Sequence, residues 1–296
     1  MTLPTSQVHQ PAPKWGQDRR LEFVDFRLHW DGRINRSDLT EFFNISVPQA
    51  SLDIARYLEL APGNAIYDRS SKVYLSCAGF VPMFPSNLPE RYLNELLART
   101  TGIIHAEHSF IGWIPPVAAV PSPIRSIPPE TLITLLSSIR RKKKISILYQ
   151  SMTSIDASER EISPHAIAHD GFRWHVRAYC DRRKEFIDFV IARMLRIRAS
   201  DSPGQDATDD VAWNQNVRLV LGPNAELDEA HKRVIELDYG MVSGEVELNC
   251  RQALLYYALK RLGLLDTANS KPEQQQIILK NLDDIIKFLP QSTQPR

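Results

Sequence analysis

Three cysteines, 12 glycines and a formal net charge of +1 are little for a chain of 296 residues. Cys77, Cys180 and Cys250 are widely spaced in apolar surroundings, which argues against a disulfide framework or a zinc site. We expect buried free thiols in a reducing compartment. No apolar run approaches the ~20 residues that span a membrane. The small net charge decides little about nucleic acid, because net charge governs non-specific affinity more than function.

Motifs of the common enzyme classes are also missing. There is no P-loop, GxSxG, HExxH or Rossmann glycine pattern, and 12 glycines are few for loops that cradle phosphates. His165, His169, His175 and Asp170 could suggest a metal or acid–base cluster, but His169 and Asp170 lie at a predicted turn and no second pair has metal spacing. Cys180 lies near basic residues that could activate a thiol, but its side chain is predicted to point inward. We therefore expect no enzyme, no metal and no cofactor.

What the sequence does contain is the composition of a soluble multidomain α+β protein, with 43% hydrophobic and 24% charged residues. Its start lacks a basic segment followed by an apolar core, so we expect a cytoplasmic protein without a membrane partner. Proline-dense stretches and composition shifts predict the boundaries. The predicted segments are a disordered arm (1–13), a winged helix-turn-helix domain with a following helix (14–114), a linker (115–130), a mostly β domain (131–201), a second linker (202–211) and a small α+β domain (212–296).

The elements predicted between residues 15 and 80 follow the order of a winged helix-turn-helix. A helical period covers 15–30, Asn35 with Asp38 caps a second, short helix, and a third runs from Val47 to about Leu60. The run NAIYDRSSKVYLSC then indicates strand, turn and strand. Three helices followed by a hairpin predict a DNA-binding fold of this kind.

The predicted third helix lies in the run ISVPQASLDIARYL. Ser46 can accept a hydrogen bond from the backbone at 49 while Gln49 reaches back, which is a capping box. Pro48 falls in the first turn, where its missing N–H has no helical partner. At about 100° per residue, the core-facing side is expected to hold Val47, Ala50, Ile54, Tyr57 and Leu58.

The outward side of this helix carries the candidate base readers. Gln49, Leu52 and Arg56 are spaced three and four apart, so they form one ridge. Gln can pair with adenine, Arg with guanine, and an apolar side chain can contact a thymine methyl, whereas contacts to phosphate position the protein. Alternatively, this face packs on another domain of the chain. The predicted DNA-binding set is Ser46, Pro48, Gln49, Ser51, Leu52, Arg56, Arg69 and Lys72.

The run FRWHVRAYC at 172–180 alternates with the period of a β-strand. One side, expected to face a core, holds Trp174, Val176, Ala178 and Cys180. The other side holds Arg173, His175, Arg177 and Tyr179. Basic side chains in a row are costly to bury unless they share an anion. A solvated outer face is the alternative.

The longer run ISPHAIAHDGFRWHVRAYCDRRKEFIDFVIARM resembles the WYL domain, an SH3-like β-barrel named for a Trp-Tyr-Leu run. Here that run is Trp174-His175-Val176, with SPHAI before it and RAYC and DFVIARM after it. The runs ISVPQASLDIARYL and IELDYGM resemble the winged helix and the C-terminal extension (WCX) of the same regulators. The resemblance covers 15–290. With His in place of Tyr, the chain is similar to the repressors linked to BREX and CBASS phage-defence operons.

The resemblance implies a homodimeric transcription factor that binds a pseudo-palindromic double-stranded DNA operator and dimerises through 212–296. It further implies that the barrel at 131–201 senses a nucleotide or nucleic-acid-derived anion, and histidine at 175 adds a group that can change charge near neutral pH. The run ALLYYALKRL at 253–262 is expected to be core or dimer surface. The alternative function is an accessory module that senses nucleic-acid fragments, or docks through its winged helix, without regulating transcription. The implied pocket residues are Tyr149, Ser151, His165, Arg173, His175, Arg177, Tyr179 and Arg193.

Overall fold

The structure, a computed structural model, describes residues 15–85, 87–123, 125–265, 271–272 and 274–289. The chain divides into two compact units, one ending at Ser122 and one beginning at Pro123. The predicted arm at 1–13 lies outside the described residues. Within the described part of the chain, none of the helices is both long enough and apolar enough to cross a membrane.

The first unit combines helices with a small antiparallel sheet of strand order β1-β3-β2. The helices and the hairpin confirm the predicted order, whereas the short strand β1 falls where the sequence indicated only a helix break. Its elements are α1 (Trp15–Asp31), β1 (Arg33–Ile34), α2 (Arg36–Phe43), α3 (Val47–Leu60), β2 (Ala65–Asp68), β3 (Val73–Ser76) and α4 (Pro89–Thr100).

Short-range hydrogen bonds fix the turn between α2 and α3. The side chain of Asn35 accepts from the Asp38 N–H at 2.9 Å, and Asp38 accepts from the Asn35 N–H at 2.7 Å. This is the capping box predicted for α2. Asn44 ends the helix in the left-handed region at φ 51°, a conformation that asparagine tolerates better than most residues. The chain therefore turns sharply into α3.

The core of the first unit joins α1 to α3. Phe23 and Phe26 of α1 pack edge-on against Phe110, with ring centroids 5.2 and 5.8 Å apart. Beside these rings, the buried Asp25 accepts a hydrogen bond from the Tyr57 hydroxyl at 2.7 Å. A buried carboxylate is tolerated when it is hydrogen-bonded, so this contact ties α3 to α1.

The second unit contains a five-stranded antiparallel sheet of order β7-β6-β5-β4-β8 and a three-stranded sheet of order β10-β9-β11. The helix α5 packs on the larger sheet, and its Leu135 is fully buried there. The elements are α5 (Pro129–Arg141), β4 (Lys143–Tyr149), β5 (Ser158–His169), β6 (Trp174–Cys180), β7 (Glu185–Val190), β8 (Met194–Pro203), α6 (Val211–Asn214), β9 (Asn216–Pro223), α7 (Glu229–Asp238), β10 (Val246–Arg251), α8 (Leu255–Arg261), β11 (Ile277–Leu279) and α9 (Leu282–Ile285).

The larger sheet is not a closed barrel in its strand pairing. Among the described residues, β7 pairs only with β6 and β8 only with β4, so both are edge strands. The core side of this sheet is packed with aliphatic residues, including Ile145, Ile162 and Val176. The helical and strand content confirms the α+β class.

The structure bears on two details of the sequence interpretation. The segment 202–211, predicted as a linker, holds the end of β8, a short 3-10 turn at Ala207–Asp209 and the start of α6. This linker and the other predicted domain boundaries stay predictions. Of the three free cysteines, Cys180 is buried as expected, but Cys77 and Cys250 are only partly buried.

Candidate functional site

A buried ion pair positions the predicted recognition helix α3. Asp53 has no solvent-exposed surface, and its carboxylate accepts from Arg20 of α1 at 2.6 Å (Nε) and 3.3 Å (Nη2). Such a two-point pair fixes orientation as well as distance. Sequence reasoning missed both residues, although a carboxylate on the inward side of α3 was the available signal.

The start of α3 is capped only in part as predicted. Ser46 Oγ accepts from the Gln49 N–H at 3.3 Å, but the Gln49 amide does not return to Ser46. It donates instead to Asp53 at 3.1 Å, because the buried carboxylate lies one helical turn further on. The predicted capping box is therefore wrong in its second half, and half-buried Gln49 is already hydrogen-bonded.

The remaining predicted DNA-binding residues lie on the outside of the first unit. Leu52 is 64% exposed, and Arg56 beside it forms a surface pair with Glu59 at 3.0 Å. Ser51 donates to its own helix at Val47 O (3.0 Å). The exposed remainder of the predicted set is Ser46, Pro48, Arg69 and Lys72.

Val47 corrects the helical-wheel prediction. It is 58% exposed, although the pattern placed it on the core side with Ala50, Ile54 and Tyr57, which are buried. The reason is its position at the first residue of α3, where the chain enters the helix outside the core. Leu52 and Arg56 keep the outward placement that the spacing predicted, whereas Gln49 is half-buried.

Strand β6 is buried on both sides along most of its length. Val176, Ala178 and Cys180 lie in the core as predicted, and His175 and Arg177 on the opposite side are buried too. The alternative of a solvated outer face is therefore wrong for these two residues. Trp174, predicted to face the core, is 51% exposed because it starts the strand, where its ring lies 4.6 Å from that of His169.

Arg177 is enclosed by carboxylates. Its guanidinium donates to both oxygens of Asp210, at 2.8 and 3.0 Å, and to Asp188 at 3.3 Å. His165 Nε2 lies 2.9 Å from the same Asp210, and Tyr257 donates to Asp188 at 3.1 Å. Burial alone would lower the pKa of Arg177, but the two carboxylates raise it, so the guanidinium stays charged. This network holds β5, β6, β7 and the chain before α6 together.

The two carboxylates around Arg177 respond differently to burial. Burial works to raise the pKa of Asp210, but the hydrogen bonds and charge of Arg177, with His165, lower it. At Asp188 burial prevails over the charge of Arg177, and the pKa is raised. Asp210 is therefore the firmer partner of the arginine.

His175 has a separate carboxylate partner. Its Nε2 lies 2.9 Å from Asp170 Oδ2, while its buried Nδ1 has no hydrogen-bond partner among the described residues. Burial works to raise the pKa of Asp170, but hydrogen bonds from His175 and from the N–H groups of Phe172 and Arg173 lower it to about 2. Asp170 is therefore an ionised anchor for the imidazole.

Next to this network lies a cavity of about 590 Å³, here called the central cavity. Four aromatic side chains line it: Tyr149, Phe172, Tyr256 and Tyr257. Its only lining carboxylates among the described residues, Asp170 and Asp188, are already hydrogen-bonded. Five cations line it, and none forms an ion pair with a described residue: Arg125, Arg173, Arg193, Lys260 and Arg261.

The structure gathers half of the implied pocket residues around the central cavity: Tyr149, Arg173, His175 and Arg193. Ser151 lines a neighbouring cavity instead. Three others are absent from the lining of the central cavity in the described structure. His165 and Arg177 are bonded to Asp210, and Tyr179 packs on Phe186 with ring centroids 5.2 Å apart.

Helix α8 corrects the interpretation of the run at 253–262. Leu255 and Leu259 are buried in the C-terminal core, as expected. The other side of the helix, however, gives Tyr256, Tyr257 and Lys260 to the central cavity. The pKa of Tyr257 is raised by burial and by Asp188, so its hydroxyl remains a hydrogen-bond donor. In the part of the chain that the structure describes, no three His, Cys, Asp or Glu side chains gather as around a metal ion.

Comparison with protein families identifies the class. The model of the BrxR transcriptional regulator winged helix-turn-helix domain matches residues 16–98, and that of the WYL domain matches 130–199. The model of the BrxR transcriptional regulator C-terminal dimerization domain matches 216–285. The three matches follow in the order that the sequence resemblance predicted, which is the order of WYL-domain transcriptional regulators.

Individual relatives narrow this class. The DNA-binding transcriptional repressor CapW of Escherichia coli (strain KTE188) is 44% identical over 287 residues, 97% of this chain and 96% of that protein. CapW of Pseudomonas aeruginosa is 48% identical over 286 residues, 95% of this chain and 94% of that protein. The chain therefore belongs to the CapW family of WYL-domain transcriptional repressors.

Solved structures add nothing to this assignment. Proteasome accessory factor B/C (PafBC) of Arthrobacter aurescens matches over 99% of this chain at 13% identity with a TM-score of 0.26. This chain spans 50% of that protein's length. A likeness of this strength carries no argument about fold or function.

Proposed function

We propose that this chain is a homodimeric, DNA-binding transcriptional repressor whose WYL domain senses a nucleotide or oligonucleotide. In this proposal α3 reads a pseudo-palindromic operator of a phage-defence operon, and strands β4 to β8 correspond to the SH3-like barrel of the WYL domain. The relatives named DNA-binding transcriptional repressor support the DNA-binding part. The match of 216–285 to a dimerization domain supports the homodimer.

The observation that carries the sensing part is the charge of the central cavity. Five cations face two carboxylates that are already hydrogen-bonded, so the cavity favours an anion. Its tyrosines and Phe172 offer rings on which a base can stack. A nucleotide or short oligonucleotide carries both a phosphate for the cations and a base for the aromatic rings, so it fits this lining.

The ridge on α3 is the proposed source of sequence preference. Leu52 is an exposed apolar side chain between two hydrogen-bonding ones, which suits contact with a thymine methyl. Arg56 must exchange Glu59 for a guanine, and Gln49 can use its amide on adenine only by giving up Asp53. Of these two polar side chains, Arg56 can therefore contact a base at lower cost, because its present partner Glu59 is exposed to solvent.

A gel-shift series over a range of salt concentrations tests the DNA-binding part. The probes are the DNA upstream of the gene for this chain and a scrambled duplex of the same length. We expect a clear preference for the upstream DNA. Equal binding to both probes would remove the repressor proposal and favour the accessory-module alternative.

Arg56→Ala tests the base reader in the same assay. We expect a loss of about 1–3 kcal/mol at one base pair, with preference relaxed only there. The matched control is Arg218→Ala, since Arg218 is similarly exposed and also pairs with a glutamate, Glu247, at 3.1 Å. A uniform loss on all sequences would show that Arg56 contacts phosphate only.

Arg173→Ala tests the sensing part. Arg173 lines the central cavity without an ion-pair partner in the described structure, so its loss should leave the fold and operator binding intact. We expect nucleoside monophosphates, triphosphates or short 5′-phosphorylated oligonucleotides to release the operator from wild type and to lose that effect on the variant. Arg198→Ala, at an exposed arginine of β8, is the control. If none of these probes releases operator DNA from wild type, the sensing proposal fails.

A further inference from the structure

A second cavity of about 320 Å³, here called the arginine cavity, lies beside the central one in the second unit. Tyr149 and Asp188 line both cavities. The arginine cavity is distinguished by its polar lining, which brings together three guanidinium groups and three hydroxyls from separate parts of the chain: Arg160, Arg182, Arg183, Ser151, Thr153 and Ser154.

Arg160 is the unusual member of this lining. Its Nη1 is buried and has no hydrogen-bond partner among the described residues. Burial and the nearby charge of Arg182 lower the pKa of Arg160, Cys180 opposes them, and the charge of Arg183 adds a smaller lowering effect. A buried charged donor without a partner is costly, and a row of like charges adds to that cost. The arrangement is explained when an anion occupies the cavity.

Asp188, the carboxylate in the described lining of the arginine cavity, does not supply that anion. Asp188 directs its two oxygens to Arg177 at 3.3 Å and Tyr257 at 3.1 Å. Glu185 lies 3.6 Å from Arg183, but both side chains are more than half exposed, and such surface pairs are weak. Neither Arg160 nor Arg182 has a carboxylate partner in the described structure.

The hydroxyl groups in this lining belong to the β4–β5 loop and are held in place by hydrogen bonds within it. Ser151 Oγ donates to Ser154 Oγ at 3.0 Å and lies 3.2 Å from Thr153 Oγ1. Gln150 folds its amide back onto the loop and donates to the Ser154 carbonyl at 2.9 Å. The loop therefore presents a cluster of short, uncharged hydroxyl side chains.

We propose that the arginine cavity is a second phosphate-binding site, separate from the central cavity. Guanidinium groups pair with the oxygens of a phosphate through strong, charge-assisted hydrogen bonds, and hydroxyls can donate to the remaining oxygens. A phosphate group has enough oxygens to accept hydrogen bonds from both the guanidinium groups and the hydroxyls of the lining. It belongs either to a small phosphate compound or to a nucleotide whose other end lies in the central cavity. The second source rests on the proposed sensing function.

Calorimetric titration of the whole chain with inorganic phosphate tests the site. The variant is the double substitution Arg182→Ala with Arg183→Ala, because both side chains are exposed and their removal should not disturb the core. We expect at least a tenfold weaker phosphate affinity than wild type, the loss of about 1.4 kcal/mol. Arg198→Ala, an exposed arginine on β8, should bind like wild type. Equal affinity of wild type and the double variant, or no heat of binding in wild type, overturns the proposal.

A second arm separates the two sources of phosphate. A short oligonucleotide is titrated with a 5′-phosphate and with a 5′-hydroxyl, into wild type, into the double variant and into Arg173→Ala. If the double variant loses the preference for the 5′-phosphate while wild type and Arg173→Ala keep it, the arginine cavity holds the phosphate of the nucleotide that occupies the central cavity. An unchanged preference, with inorganic phosphate binding lost, assigns it to a separate phosphate compound. If the central cavity binds no nucleotide, Arg173→Ala matches wild type with every oligonucleotide, while the phosphate result still stands or falls by itself.

Discussion

Each of the two candidate sites of this chain contains a buried aspartate that binds an arginine, but the two ion pairs have different consequences for the site. In the first unit, Asp53 is bound by Arg20 from another helix, and the outward ridge of α3 is left for other contacts. In the second unit, Asp210 binds Arg177, which is itself one of the side chains that the sequence suggests for the ligand. The carboxylate of Asp53 therefore positions the exposed side of α3. The carboxylate of Asp210 instead occupies Arg177, so that this arginine is not free to bind an anionic ligand.

This difference shows why a basic residue in a pattern is not yet a recognition residue. An arginine contributes to anion binding only when neighbouring carboxylates leave its charge uncompensated. Arg177 fails this condition and Arg173 meets it, although the two are separated by a few residues in the same run. Four predictions test the comparison, beginning with the largest expected effect.

Arg20→Ala should be the most destabilising change, because it leaves the carboxylate of Asp53 buried without a counter-charge, although the Gln49 amide still donates to it. Removing one partner of a buried pair costs about 3–5 kcal/mol of the free energy of unfolding. Denaturant unfolding and hydrogen exchange of α1 and α3 amides measure the loss. Arg19→Ala is the control, since Arg19 pairs with Glu22 at the surface and its loss should cost about 1 kcal/mol or less. Equal losses for both variants would show that Asp53 does not need its partner.

Asp210→Asn should cost less, about 1–3 kcal/mol, because an amide keeps part of the hydrogen bonding and Arg177 retains Asp188. The adjacent Asp209→Asn serves as control, since Asp209 is exposed and its side chain is bonded only to Gln205 among the described residues. Denaturant unfolding of the three proteins gives the comparison. A loss as large as that of Arg20→Ala would contradict the idea that Arg177 is shared between two carboxylates.

Acid should weaken the second unit through Asp170. Its pKa of about 2 lies below the ordinary value of 3.8, so its ionised form stabilises the fold above about pH 4. That contribution is lost as the pH falls from about 4 towards 2. Urea midpoints measured across this range should fall less in Asp170→Asn than in wild type. Parallel curves for the two proteins would show that the carboxylate contributes no pH dependence there.

Arg56→Ala should have the smallest effect on stability, within about 0.5 kcal/mol, because its pair with Glu59 is exposed on both sides. Thermal unfolding checks this value in the protein used for the DNA-binding assay. A stability loss well above this value would mean that Arg56 supports the helix, and its effect on DNA could no longer be assigned to base contact.

Local signals predicted most of the first unit from the sequence. The capping box at Asn35 and the spacing of apolar residues in α1 and α3 depend on neighbours in the chain, so they are visible in a pattern. Val47 was misplaced because a helical wheel assumes that the core extends along the whole helix. The strand β1 was missed because two residues hold no period.

For the second unit, the sequence predicts the fold class and the two sides of β6, but it does not predict which side chains form ion pairs. The period-two pattern placed Val176 and Arg177 on opposite sides of β6, as the structure confirms. It could not choose the carboxylate, because Asp210 lies 33 residues away in a run of acidic and small residues that reads as a linker. Long-range pairing depends on how strands are arranged, which the spacing within one strand does not contain.

The two sides of helix α8 have a thermodynamic consequence. Leu255 and Leu259 belong to the C-terminal core, whereas Tyr256 and Lys260 border the cavity against the larger sheet. A ligand in that cavity therefore binds only while both the sheet and the C-terminal core are folded. At a concentration of a hundred times its dissociation constant, the ligand would add about 2.7 kcal/mol to the free energy of unfolding of either part. Saturation would thus join two folding equilibria into one, and this ligand-induced cooperativity would be measurable in the absence of DNA.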